Sequence, residues 1–214
     1  MRRAAALLML AGCACPEMRS AVSAYQRAMD ARERHADWAA KSFENCAEDA
    51  ATALRECELT PDQRLTLASI RIRACIETDA VAAAEETILA HKAVFGSLDA
   101  DQRYPGDIAG IALLKAAHHD NPDRALVEYL RAEDRVTGAR ARAFLDLRKV
   151  ETLIAKATWH LASTPGAGSH RDAAKRALRD AIAVCDGQKA AGALADRLKR
   201  LRAEAASRLE ALGK

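Results

Sequence analysis

Aromatic side chains make up only 4% of the 214 residues, although half of the chain is hydrophobic and rich in alanine. A core of that kind closes through small side chains and closely spaced helices, not through large ring-shaped plugs. Long apolar runs are missing too. The run Ala4 to Leu10 falls far short of the roughly 18 to 20 residues that a spanning helix needs. After Cys13 no stretch approaches that length, so the remainder reads as water-soluble. Charge of one sign is also scarce: 33 Lys and Arg stand against 30 Asp and Glu, a net charge of +3. This excludes the global electrostatic footprint of a nucleic-acid binder. Acidic residues prevail over 17–100 and basic ones over 170–214, which reads first as solvated helix faces.

The residues of common catalytic machinery are absent as well. There is no Gly-rich phosphate loop, no Gly-x-Ser-x-Gly elbow and no CxxC pair. His118-His119-Asp120 offers metal-ligand types, but adjacent residues on a helix point about 100° apart and cannot clasp one ion together. His35, His91, His160 and His170 have no cysteine or carboxylate at zinc spacing. The expectation is a protein without catalytic residues, metal or cofactor.

Proline and glycine are sparse and sit at boundaries. None occurs between Pro16 and Pro61, where Val22, Tyr25, Met29, Ala36, Ala39, Phe43, Cys46, Ala50, Ala53 and Cys57 recur in steps of four and three with only Arg32 interrupting. The unbroken phase favours one long N-terminal helix; a tight turn within the charged patch Asp30 to Asp37, with Asp37 capping a second helix, is the alternative. Thr60-Pro61 and Asn121-Pro122 read as N-caps followed by proline in the first turn. Ile70 to Ile76 alternates like a strand, yet Leu65, Ala68, Ile72 and Ile76 form a helical stripe. With no partner strand elsewhere, it is assigned as helix. Further helices are expected over 80–95, 107–119, 123–136, 139–163, 171–186 and 189–212, broken at Gly96–Gly106, Gly138, Thr164–Ser169 and Gly187. The fold class is therefore all-α.

What is present at the start has a recognisable grammar. Met1-Arg2-Arg3, a short apolar core and small residues form a secretory signal, and Leu10-Ala11-Gly12-Cys13 resembles the lipobox of bacterial lipoproteins. That resemblance implies cleavage before Cys13, with Cys13 as the lipid attachment site carrying diacylglyceryl and palmitate-type chains. Residues 1–12 are then a lipoprotein signal peptide, 13–17 a lipidated tether and 18–214 the helical domain. Several acyl chains suffice for stable anchoring where one is marginal. Ala14, in place of Asp, resembles the outer-membrane sorting choice of enteric bacteria, which implies the periplasmic face of the outer membrane.

The helices also echo one another. Ala40 and Ala47, Ala83 and Ala90, Ala125 and Ala132, and Ala174 and Ala181 each sit seven apart, on one helix face. The segment from Ala117 to Ala132 resembles the tetratricopeptide family, with Ala125, Tyr129 and Ala132 on second-helix positions. The resemblance implies stacked antiparallel hairpins and peptide or protein binding on a concave face. An irregular helical bundle is the other reading.

Export makes disulfides possible among Cys15, Cys46, Cys57, Cys75 and Cys185. Cys46 and Cys75 are equidistant from the Thr60-Pro61 turn and would share a height in an antiparallel hairpin, so they form the candidate bridge, with buried free thiols as the alternative. Arg142, Lys149 and Lys156, at strict intervals of seven, form a candidate face for an acidic partner or else a solvated face. The functional expectation is a membrane-anchored periplasmic lipoprotein that binds an envelope protein as an interaction or scaffold module. The alternative is a helical envelope protein that binds a small ligand or lipid in an apolar pocket.

Overall fold

The computed structural model describes residues 15–98, 104–163, 168–188, 190 and 192–213. Among them every regular element is helical: α1 (Pro16–Glu33), α2 (Ala39–Glu56), α3 (Pro61–Glu77), α4 (Val81–His91) with a 3₁₀ extension Lys92–Ser97, α5 (Ile108–His118), α6 (Pro122–Glu133), α7 (Ala139–Ser163), α8 (Gly168–Asp186) and α9 (Gly192–Ala211). Each helix packs mainly on its sequence neighbours. No helix among the described residues is long and apolar enough to cross a membrane.

The proline-marked starts form as their chemistry predicts. Thr60 Oγ1 accepts from Gln63 N–H at 3.3 Å while Gln63 Oε1 accepts from Thr60 N–H at 3.0 Å, a closed capping box ahead of Pro61. Asn121 Oδ1 accepts from the N–H groups of Asp123 and Arg124. Ile70 to Ile76 is helical, as its 3.6-residue stripe required.

The long first helix is instead a hairpin. α1 stops in a Schellman-type closure: Ala36 N–H donates to Ala31 C=O at 2.9 Å and His35 N–H to Arg32 C=O at 3.1 Å, with His35 at φ 53°. Trp38, not Asp37, stands at the start of α2, without a side-chain cap. The apolar phase runs through unbroken because both helices face one core. Met18, Ala21, Ala24 and Ala28 of α1 meet Phe43, Cys46, Ala50 and Ala53 of α2.

The helices gather into two compact units, one ending at His118 and one beginning at His119, where the sequence reads as one array over 18–214. In the first unit α3 contacts α1, α2, α4 and α5, so it is buried all round, from Leu65 to Ile76 with little interruption. α5 approaches α3 backbone to backbone. A Cβ on Gly110 would stand 2.2 Å from the Ser69 carbonyl oxygen, so only glycine fits. In the second unit the 25-residue α7 contacts α6, α8 and α9. Ala125, Ala132, Ala174 and Ala181 are buried there, as the seven-residue spacing predicts. The spacing fails in the first unit, where Ala40 and Ala90 are exposed and Ala84, Thr87 and Ile88 form the packed face of α4.

Candidate functional site

The described residues begin at Cys15, so Cys13 and the lipobox lie outside them. The cysteine pairing differs from the Cys46–Cys75 expectation. Cys15 is bonded to Cys57, Cα to Cα 6.0 Å, and Cys46, Cys75 and Cys185 are free thiols. The hairpin is the physical reason. Antiparallel α1 and α2 bring the cap before Pro16 beside the residue that follows Glu56, within the separation a disulfide accepts. Equal distance from a turn fixes only the height of two thiols, not the direction each faces. Cys46 instead packs as a small hydrophobe, with burial pushing its thiol up to about 12, and Asp49 and Cys75 adding to the shift.

Cys15 Sγ, Cys57 Sγ and the Glu17 carboxylate lie within 4.8 Å of one another, the one group of three metal-ligand types among the described residues. The two sulfurs are spent on each other and supply no thiolate. His160 and His170, ten residues apart, face each other across the α7–α8 connection with Nδ1 atoms 3.2 Å apart. Desolvation first, and then His170, push His160 down from the usual imidazole range. Sequence spacing alone gave no sign of this contact.

The cationic stripe on α7 is occupied from within the chain. Lys149 pairs with Glu133 at 3.1 Å and Lys156 with Asp123 at 2.5 Å, both on α6, and Arg142 donates through Nε to Val136 C=O at 2.9 Å. The intervals of seven align Lys149 and Lys156 with the neighbouring helix, so these ion pairs clamp α6 to α7. Asp146 is buried beside this seam and accepts from Gln188 Nε2 at 2.5 Å. Desolvation raises its carboxyl to about 6, with Glu133 adding to the rise.

A polar network missed in the sequence crosses the first unit. Arg73 is 1% exposed and bonds Glu77 Oε1 through Nε at 2.9 Å and a terminal nitrogen at 2.8 Å. Its other terminal nitrogen lies 3.6 Å from Asp107 Oδ2. Arg32 reaches the same Glu77 at 2.9 Å. Asp107 also accepts the Tyr25 hydroxyl at 2.5 Å and caps α5 through the N–H groups of Ala109 and Gly110. Burial holds the Tyr25 phenol well above its usual range, with the Asp107 charge acting in the same direction. Arg73 and Asp107 are buried and the other groups partly so, and the network ties α1, α3 and α5 together. The alternation Ile70-Arg71-Ile72-Arg73 was the only signal, since it puts one arginine on a face that α3 buries.

One open concavity adjoins α3 and α4. It has a volume of about 360 Å³, and Leu59, Pro61, Arg64, Ala90, His91 and Val94 are among its lining residues. Compared with known proteins, the chain matches no protein-family model, no curated protein and no solved structure.

Proposed function

We propose that this chain is a lipid-anchored protein of a bacterial envelope, whose tetratricopeptide-like helical array binds another envelope protein as a scaffold. The observation that carries the reading is the Cys15–Cys57 bridge. Disulfides persist in oxidising compartments and are rare in the cytosol, which agrees with export directed by the signal-like start. The bridge also begins two residues after Cys13. Two residues of chain span at most about 7 Å, so an acyl group on Cys13 would hold the helical body against the bilayer surface. The buried Ala125, Tyr129 and Ala132 of α6 occupy the positions at which tetratricopeptide helices receive their neighbour, in keeping with a stacked array. Val127 and Leu130 of the same helix stay exposed and offer apolar contact to a partner.

The test is metabolic labelling of expressing cells with a clickable palmitate analogue, followed by fractionation. The parent protein is expected to carry label in the membrane fraction, and Cys13→Ser to carry none. A photo-crosslinking residue at Val127 or Leu130 should then give one adduct of constant mass, lost in Cys13→Ser. An unlabelled, uncleaved chain in the cytosol with Cys15 and Cys57 both reduced overturns the reading.

A further inference from the structure

Arg64 and Arg71 stand seven apart on α3 and so share a face. Both are half-buried, and neither side chain makes a hydrogen bond or ion pair with another described residue. A guanidinium cannot shed its proton, so partial withdrawal from water leaves a standing charge without an anion. The contrast within α3 is sharp, because Arg73, two residues on from Arg71, holds two carboxylates. His91 projects from α4 into the same region. Desolvation pushes its imidazole down, and the Arg64 and Arg71 charges push it further. Arg64 and His91 therefore line one concavity, Arg71 acts on His91 from the same helix face as Arg64, and no acidic group contributes to that shift. Beside them Leu59, Pro61, Ala90 and Val94 make an apolar wall. The volume of about 360 Å³ lies at the small end of ligand sites, which run from roughly 300 to 1,000 Å³.

We propose that this cleft binds a carboxylate carried on a short apolar stem. The guanidinium of Arg64 takes the carboxylate in a forked, charge-assisted contact, with Arg71 and His91 supplying the surrounding positive field. The stem lies along Leu59, Pro61, Ala90 and Val94. Either a medium-chain fatty acid or the free C-terminus of an apolar peptide provides this chemistry. The site does not depend on acylation of Cys13, so it is tested on the purified protein.

Calorimetric titration is carried out with octanoate, with 1-octanol, with inorganic phosphate, and with a pentapeptide ending in Val-Leu as the free acid and as the amide. One of the two carboxylates is expected to saturate a single site with a Kd below about 1 mM and to move the His91 ring resonances. Which one saturates it identifies the source. The neutral analogues and phosphate alone should bind at least about tenfold more weakly. Arg64→Gln should weaken the carboxylate about tenfold with its helical circular dichroism intact. Ala90→Trp, which fills the wall and leaves every charge in place, should abolish binding. Three results overturn the proposal: no saturable binding of either carboxylate up to about 10 mM, equal affinity for acid and neutral analogue, or affinity unchanged in both variants.

Discussion

Replacing Arg73 by methionine tests the polar network at its centre. Methionine keeps most of the volume and helix propensity while deleting the charge, so the change reads electrostatics more than cavity formation. In the parent, Arg73 is 1% exposed and neutralises Glu77 and Asp107. Removing one partner of a buried ion pair costs about 3 to 5 kcal/mol, because charge is left behind in a poorly solvating place. Here Glu77 keeps Arg32 at 2.9 Å, and Asp107 keeps Tyr25 and the two backbone N–H groups of α5. Those retained bonds put the loss near the lower bound, about 3 kcal/mol. The assay is urea denaturation at pH 7 in a Trp159→Phe background, where Trp38 alone reports on the first unit. A cycle with Glu77→Gln should show coupling of about 1 to 2 kcal/mol, since the two side chains share one network. A loss below about 0.5 kcal/mol for Arg73→Met, or strict additivity in the cycle, would refute the reasoning.

Three further outcomes follow from the packing. Cys57→Ser opens a loop whose ends are 42 residues apart in sequence and should cost about 4 kcal/mol in the chain-entropy account; non-reducing peptide mapping of the parent should yield a Cys15–Cys57 cross-link, and a Cys46–Cys75 peptide would contradict the structure. Gly110→Ala drives a methyl group against the Ser69 carbonyl at 2.2 Å, so α3 and α5 must part at about 3 kcal/mol; unchanged thermal stability would show that the backbones are not in contact. Asp146, raised to about 6, holds a proton in the folded state that the unfolded chain has already released, so its contribution falls as pH rises from about 4 to 6 and stays unfavourable above that. Asp146→Asn should therefore stabilise the second unit at pH 7.5 by about 1 to 3 kcal/mol and flatten the pH dependence of its thermal midpoint, whereas a less stable variant at that pH would reverse the assignment.

The sequence by itself determined what depends on neighbours along the chain. Thr60-Pro61 and Asn121-Pro122 start helices because a cap and a pre-set φ act within four residues, and Ile70 to Ile76 is helical because its stripe has no strand to pair with. Ala125 with Ala132 and Ala174 with Ala181 pack as their spacing requires. The clamp along α7 was legible as a row of cations, but its partners were not, since the carboxylates of Glu133 and Asp123 meet Lys149 and Lys156 only once α6 has folded back. The hairpin in place of one first helix escaped periodicity for a similar reason: α1 and α2 line the same core, and the turn rests on backbone hydrogen bonds and a positive φ at His35 that no side-chain pattern encodes. Only the tertiary structure decided that Cys15 meets Cys57, that Arg73 lies buried between two carboxylates, and that Arg64 and His91 line one concavity beside an apolar wall. Each of those depends on how helices are rotated about their axes and which ends are brought together, and that is set by packing summed over the whole core.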